Sequence, residues 1–469
     1  MSHQVLLVLP AGVPWVLAVL LTFLDGRKRW VGLLGAAGLA ASLASLAWLA
    51  LVVLREGTVE TVAGGWPEGV GIALRADALG VTFAAVSVTV ILFSMLYEVA
   101  LGVRWRSFPP LVLLTAAGLT GLFLTGDAFN FYVFFEISMT ASFVLAGYRE
   151  EDFQVRAAFV FAVVNLLGSV VFLIGISALY SITGSLDMAQ ISSRTDALEP
   201  SSVIVVAAII FAAFCLKLGL FPFHFWLPAV YVGSHPPVAA ILSGALANIG
   251  SYGLLRFGGG LMPRELALGS AVVMALGTAS LVYGALQAIS RRDTSEVMAY
   301  SAIGQVGYIL LALGVGGPVG FAAAVLYSVV NSLNKGVVFL AAGLRGPLVG
   351  AAFAIGAFSI AGVPPAAGFV GKVAIFKAAI AEGSALTGAL LVALVFAGSA
   401  LSFLYAFQVY QRRFLAPGSP AGSPEKPGPP AARLLVFSLA ALVLLLGLWP
   451  EPLVHLSQAA AGALTGGGR

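Results

Sequence analysis

The chain has 469 residues, of which 60% are hydrophobic and 9% charged, and its formal net charge is +4. Soluble domains carry about 25% charged residues, so the composition excludes a soluble globular protein and indicates a multi-pass membrane protein. A single cysteine, Cys215, excludes intrachain disulfides and iron–sulfur ligation. The chain shows no nucleotide-binding glycine motif, metal-ligand cluster or nucleic-acid signature, so we expect no cofactor, no metal and no nucleic-acid partner.

Apolar runs long enough to cross a bilayer occur along the whole chain, which predicts an all-α integral membrane protein. We count fourteen such runs, at about residues 5–24, 31–54, 78–98, 109–125, 128–147, 156–182, 203–228, 237–257, 267–289, 297–314, 319–343, 350–381, 386–410 and 433–449.

Two of these runs, the seventh and the twelfth, are long for one span and are interrupted by proline, Pro222 in one and Pro364 and Pro365 in the other. Proline removes a backbone donor and interrupts a helix, and paired interruptions are typical of transporters built from inverted repeats. We therefore predict two broken helices in two inverted five-helix repeats. The predicted divisions are helices 1–3 (1–106), a first half (107–258), a second half (259–415), and a flexible loop with a last helix (416–469).

Lysine and arginine favour the cytoplasmic loops of membrane proteins. With the N-terminus outside, fourteen loop residues of these types would face the cytoplasm and six, Arg256 among them, would face outward. This asymmetry predicts a cell-membrane protein with both termini outside. It also leaves lysines, but no arginine, within the predicted spans.

The lysines within the spans are Lys217, Lys335, Lys372 and Lys377, and Glu136 is the carboxylate nearest the middle of a span. A buried lysine can lose its proton because desolvation lowers its pKa, whereas arginine stays charged. Intramembrane charges are functional by default. We predict a proton relay of Glu136, Lys217, Lys335 and Lys372. For Lys377 we favour the simpler interpretation of a side chain that reaches the outer interface.

Two histidines, His224 and His235, follow the seventh run. A histidine beside a proline break could take up protons from the cytoplasmic side, but an isolated histidine can equally be a satisfied polar group. Both interpretations remain open from the sequence.

Several motifs resemble the antiporter-like subunits shared by respiratory complex I, membrane-bound hydrogenases and Mrp-type cation/proton antiporters. The stretch KLGLFPFHFWLP (217–228) is similar to the K-x4-PFHxWLP signature of that family. NKGVVFLAAG (334–343) and GVPPAAGFVGK (362–372) resemble its eleventh and twelfth helices. By this resemblance the fold would have fourteen helices, and Glu136 would pair with Lys217 at the start of a hydrated mid-membrane axis to Lys335 and Lys372. The length fits the Mrp D type best.

The sequence departs from that family at two relay positions. Asn248 stands where lysine or histidine is usual, and Asn331 stands where histidine is usual. Asparagine can hold water but does not change its charge near neutral pH. The resemblance therefore implies that the relay between Lys217 and Lys335 depends on water or is interrupted.

The resemblance implies a proton- or Na⁺/H⁺-translocating subunit without bond-making chemistry of its own. Its partners would be protons, other membrane subunits and the lipid bilayer, with Na⁺ as a further candidate. One alternative is a proton-conducting subunit of a complex I-like, hydrogenase or inorganic-carbon-uptake complex. A second is a structural subunit in which the intramembrane charges only join helices.

Overall fold

A computed structural model describes residues 3–66, 71–148, 151–195, 197–381, 385–415 and 428–466. Within these residues the chain is almost entirely helical, with one small antiparallel sheet of strands β1 (Val59–Val62) and β2 (Ala73–Ala76). The α-helices are α1 His3–Thr22, α2 Arg29–Glu56, α3 Ala78–Leu101, α4 Phe108–Phe123, α5 Ala128–Ala146, α6 Asp152–Thr183, α7 Met188–Thr195, α8 Pro200–Leu218, α9 Leu227–Gly233, α10 Pro236–Ala240, α11 Asn248–Gly253, α12 Pro263–Leu268, α13 Ser270–Ser290, α14 Thr294–Val315, α15 Gly317–Ala342, α16 Pro347–Ala361, α17 Ala367–Ala381, α18 Ala385–Tyr410, α19 Pro430–Leu448 and α20 Glu451–Leu464.

Twelve helical segments among the described residues are long and apolar enough to span a membrane, and α4 and α16 are shorter apolar helices. The predicted all-α multi-pass membrane fold is confirmed. The total of fourteen spans and the inverted repeats remain predictions. The short sheet and α20 are elements that the apolar pattern did not indicate, because neither contains a run of spanning length.

The seventh and the twelfth run are both interrupted helices. In the first, α8 ends at Leu218, Gly219 adopts a left-handed conformation (φ +63°), and helix resumes at Leu227 after Pro222. In the second, α16 ends at Ala361, Gly362 has φ +83°, and α17 begins at Ala367 after the two prolines. Glycine suits both positions because other residues rarely adopt positive φ. Each interruption leaves backbone carbonyls at a helix end available to a side chain.

The centre of the bundle is α15, which is buried along almost its whole length. Beside it runs one continuous span, Pro236–Leu261, in which α10 and α11 alternate with the π-helical segments Ile241–Leu246 and Leu254–Leu261. A side-chain carbon at Gly244 would lie 2.8 Å from the Ser332 carbonyl oxygen of α15, so glycine permits this close approach. Wider π turns are frequent at functional sites.

The expectation that no arginine lies within a span was wrong at Arg256. This residue lies in the π-helical segment Leu254–Leu261, is buried, and donates to both carboxylate oxygens of Asp77 (2.6 and 2.8 Å). Asp77 also caps the start of α3 by accepting from the Gly80 amide. Burial acts to raise the pKa of Asp77, but Arg256 and Arg75 outweigh it and hold that pKa at about 2. A fixed counter-charge is therefore what allows this arginine to be buried.

The predicted flexible loop at 416–432 is only partly within the described part of the chain. Residues 416–427 lie outside the described residues, and Pro430 already begins α19.

Candidate functional site: a line of buried lysines

Lys217, at the end of α8, is 7% exposed and has only neutral partners. Its Nζ donates to the Asn165 carbonyl oxygen of α6 (2.8 Å) and to Ser169 Oγ (3.2 Å), and it lies 4.0 Å from the centre of the Phe135 ring. It also lines a cavity of about 10 Å³, which is near the minimum size for one water molecule. The ammonium is held in place without a bonded counter-charge.

The expected contact between Glu136 and Lys217 is absent, because no ion pair within 4.0 Å joins these two described residues. Glu136 lies half-buried on α5, its Oε1 has no hydrogen-bond partner among the described residues, and its charge still acts on Lys217 electrostatically. The Lys217 amine bonds Asn165 and Ser169 of α6 instead. The carboxylate is a nearby charge rather than a bonded partner.

The side-chain amide of Asn248, on α11, forms hydrogen bonds through both its nitrogen and its oxygen. Its Nδ2 donates to Ser87 Oγ (3.0 Å) and to the Gly244 carbonyl oxygen (3.2 Å), and its Oδ1 accepts from Ser332 Oγ (2.8 Å). These bonds join α3, α11 and α15. Asn248 therefore connects three helices at the position where the family resemblance led us to expect a charge.

Lys335 and Asn331 lie one helical turn apart on α15, and both are buried (3% and 6% exposed). Lys335 makes no hydrogen bond or ion pair with a described residue. The Oδ1 atoms of Asn331 and of the neighbouring Asn334 also have no partner among the described residues. This section of the line differs from all the others in its lack of protein partners.

Lys372, on α17, is bound at the second helix interruption. Its Nζ donates to the Ala361 carbonyl oxygen at the end of α16 (3.0 Å), to Ser399 Oγ (2.9 Å) and to Tyr308 OH (3.4 Å). The same Nζ lies 4.6 Å from the centre of the Tyr308 ring. The broken helix thus supplies a carbonyl that a continuous helix would have used internally. Lys377, on the same helix, is exposed, which agrees with the simpler interpretation of that residue.

A chain of hydroxyl and amide groups leads away from Lys372, and the sequence interpretation missed it. Tyr308 OH lies against Ser402, Tyr405 OH donates to Ser402 Oγ (3.3 Å), and Tyr405 OH and Ser301 Oγ are 2.7 Å apart. Hydroxyl groups can each accept one proton and release another, so such a chain can transmit protons. Ser301 and Tyr308 lie on one face of α14, and this helical spacing was the available signal.

A second branch of the same cluster reaches the central helix. Gln305 on α14 donates to Tyr405 OH (3.2 Å), and Tyr327 on α15 donates to Gln305 Oε1. Tyr327, Asn331 and Lys335 follow one another at intervals of four residues, so they share a face of α15. This face connects Lys335 with the surroundings of Lys372.

The two histidines lie in different environments. His235 Nδ1 is 3.4 Å from Glu98 Oε2, and Tyr148 OH donates to Glu98 Oε1 (2.7 Å). His224 instead packs on Tyr283 of α13 with 4.4 Å between ring centres, and its Nδ1 has no hydrogen-bond partner among the described residues. The structure therefore does not bring the two histidines together. Among the described residues, a carboxylate lies beside His235 but not beside His224.

The described residues contain no cluster of three or more histidine, cysteine, aspartate or glutamate side chains that could hold a metal ion. A cavity of about 780 Å³ lies around Arg75 and Arg256, and none of the three buried lysines lines it. A buried amine with neutral oxygen partners has the chemistry to gain and lose a proton.

Comparison with known proteins finds a matching family model and several relatives. The family model described as NADH:quinone oxidoreductase/Mrp antiporter, TM, matches residues 125–346. The D-type subunit of the Na(+)/H(+) antiporter of Alkalihalophilus pseudofirmus is 29% identical, over 96% of this chain and 95% of that protein. The putative antiporter subunit mnhD2 of Staphylococcus haemolyticus is 31% identical, over 82% of each chain.

Solved structures of large membrane complexes contain similar chains. A chain of the Mrp complex from Dietzia sp. superimposes with a TM-score of 0.89 at 27% identity, covering 99% of this chain and 98% of that one. A chain of respiratory complex I from Thermus thermophilus gives 0.76 at 28% identity, covering 95% and 98%. This chain therefore belongs to the transmembrane family shared by NADH:quinone oxidoreductases and Mrp antiporters.

Proposed function

We propose that this protein is a proton-translocating membrane subunit of an Mrp-type Na⁺/H⁺ antiporter complex. Its proton path runs between Lys217 and Lys372 by way of Lys335. The similarity to antiporter subunits of the D type, mnhD2 among them, supports the antiporter assignment over a redox-driven complex. We further propose the cell membrane as its location, with both termini outside.

The observation that carries the proposal is the neutral binding of buried lysines. A lysine that served only to join helices would be expected to bond a carboxylate, because an unpaired buried charge is strongly destabilising. Lys217 and Lys372 instead bond carbonyl and hydroxyl oxygens, and Arg256 shows what a fixed ion pair in this protein looks like. Neutral partners stabilise a proton on the amine and still allow it to leave.

Glu136 sets the proton affinity of Lys217 from a distance. A nearby negative charge favours the protonated amine. If Glu136 moves or is neutralised, Lys217 releases its proton toward the central section. His235, beside Glu98, is the better placed of the two histidines for proton uptake from the cytoplasmic side, where the loops carry more lysine and arginine.

The test uses the complete complex, expressed in a strain without its own antiporters. Lys217→Ala, Lys372→Ala and Glu136→Ala are compared with Lys377→Ala, a matched control because Lys377 is an exposed lysine on the helix that carries Lys372. We expect the first three to lose sodium tolerance and proton flux in vesicles at normal complex levels, with Lys377→Ala unaffected. Normal flux in both Lys217→Ala and Lys372→Ala would contradict the proposal. Low complex levels with normal flux per complex would support a structural subunit.

A further inference from the structure

Three neighbouring polar side chains on α15 have no partner in the described part of the protein. Asn331, Asn334 and Lys335 stand at positions i, i+3 and i+4, where helical side chains are neighbours. They are 6%, 2% and 3% exposed, and neither asparagine Oδ1 atom nor the lysine amine bonds a described residue. The three residues, called here the α15 triad, therefore form one cluster on the most buried helix of the bundle.

A buried polar group without a partner is destabilising, so three on one turn point to a ligand that the protein holds there. Asn248 shows the contrast, because its amide is fully bonded within the protein. Of the two asparagines at relay positions, Asn248 joins helices, whereas the Oδ1 atom of Asn331 is available to bind a ligand.

The chemistry of the α15 triad selects the kind of ligand. Amide carbonyl oxygens are hard, neutral ligands that suit alkali cations, whereas Ca²⁺ and Mg²⁺ sites rely on carboxylates. A protonated Lys335 would repel a cation, and a neutral amine would not. Exchange of the lysine proton for one monovalent cation keeps the charge of the cluster at one positive unit, so the buried site never carries two charges.

The titratable and charged groups recorded against α15 do not change this balance. They are Tyr97 near Gly343, Tyr231 against Phe339, Tyr308 against Tyr327, and Arg413 on the Ala342 carbonyl oxygen. Lys372 bonds Tyr308, which packs on Tyr327. None of these groups is a carboxylate that could neutralise a second positive charge.

We propose that the α15 triad binds Na⁺ through the two asparagine oxygens, with water completing the shell, and that it does so only while Lys335 is unprotonated. In one half of the cycle Lys335 carries the proton and excludes the cation. In the other, its proton passes toward Lys372 along Tyr327 and Tyr308, and Na⁺ takes the place of that charge. The proposal rests on the proposed antiporter function and assigns this chain a place where the two ions compete.

The experiment measures Na⁺-driven proton exchange by the intact complex reconstituted in vesicles. Asn331→Leu and Asn334→Leu remove one oxygen each at similar size, and Ser328→Ala is the control, since that hydroxyl bonds its own helix backbone. We expect each leucine variant to raise the KM for Na⁺ about tenfold or more with a smaller change in maximal rate, because one ligand to a charged ion is lost. We expect Ser328→Ala to keep the parental KM.

A further variant and a binding measurement distinguish the loss of a Na⁺ site from a general loss of activity. Asn331→His introduces a titratable group, and we expect it to weaken Na⁺ dependence while proton movement continues. For the purified complex, NaCl should raise the melting temperature relative to choline chloride, and this difference should shrink in the leucine variants.

An unchanged KM for Na⁺ in both leucine variants would overturn the site, and so would an unchanged Na⁺-dependent stabilisation. A fall in maximal rate alone would mean that the α15 triad holds only water, which also overturns it. Failure of the proposed antiporter function is recognised separately, by normal flux in the Lys217 and Lys372 variants.

Discussion

Lys217 in the first half and Lys372 in the second half are held alike and surrounded differently. Each amine bonds one carbonyl and at least one hydroxyl beside an interrupted helix. Around Lys217 the remaining influences are the charge of Glu136 and a water-sized cavity. Around Lys372 they are tyrosine and serine hydroxyls, with no carboxylate recorded against it in the described part of the chain. The first lysine can thus be controlled by a charge, and the second only by hydrogen bonds.

This difference between the surroundings of Lys217 and Lys372 suits the proposed relay, in which protons move from one lysine toward the other. A movable negative charge can change the proton affinity of Lys217 strongly, because buried charges interact at low dielectric. A hydroxyl network changes the affinity of Lys372 less, but its groups are able to pass protons from one to the next. We infer that the first half drives the transfer and the second half conducts it.

The largest expected effect comes from replacing each lysine with arginine. Arginine keeps the positive charge and the hydrogen bonds but does not release its proton. We expect Lys217→Arg and Lys372→Arg each to lower exchange per assembled complex about a hundredfold or more, in line with the loss of a positioned proton-transfer group. Glu136→Gln should have a smaller effect, because this carboxylate acts without a bond. Normal exchange in the arginine variants would mean that neither half releases protons from its lysine.

The next effect tests the hydroxyl path of the second half. Tyr405→Phe keeps the ring and removes the hydroxyl that contacts Ser301, Gln305 and Ser402. We expect exchange to fall about tenfold to a hundredfold, the lower range for a proton-transfer group. Vesicle proton flux, normalised to complex content, measures it.

Tyr410→Phe is the matched control for that experiment, because Tyr410 lies on the same helix outside the hydroxyl chain and no hydrogen bond of its hydroxyl is recorded. Equal flux in the two variants would show that the hydroxyl chain carries no protons. The two halves would then differ only in charge.

The difference between the halves also marks how far the sequence could be interpreted. Lys217, Lys335 and Lys372 could be recognised individually, because a charge in an apolar run is conspicuous. The helix interruptions were equally visible, since Pro222 and Pro364 remove backbone donors. These are local properties of the chain.

What depends on contacts between distant segments could not be predicted. The partner of Lys217 is a backbone carbonyl 52 residues away, which no side-chain pattern reveals. The burial of Arg256 could not be predicted either, because its counter-charge, Asp77, lies 179 residues earlier in the chain. The hydroxyls of Tyr308 and Tyr405 were overlooked because tyrosine in a membrane helix is usually interpreted by its ring.

The smallest effects concern the two interruptions themselves and are differences in stability. At Gly368 an added side-chain carbon would lie 1.7 Å from the Ser359 carbonyl oxygen, so α17 would have to move away from α16. At Gly219 the obstacle is the positive φ, which costs an alanine about 1–2 kcal/mol, while the nearby Leu227 side chain can shift. We therefore expect Gly368→Ala to lower the melting temperature of the purified complex more than Gly219→Ala does.

Gly462→Ala is the control for this comparison, because no described residue lies within 4 Å of the added carbon in α20. Alanine also favours a helix over glycine by about 1 kcal/mol. We expect this variant to keep or raise the melting temperature. If Gly368→Ala were as stable as Gly462→Ala, the close contact between α16 and α17 would not be needed to hold Lys372. The resemblance between the two lysine sites would then rest on their hydrogen bonds alone.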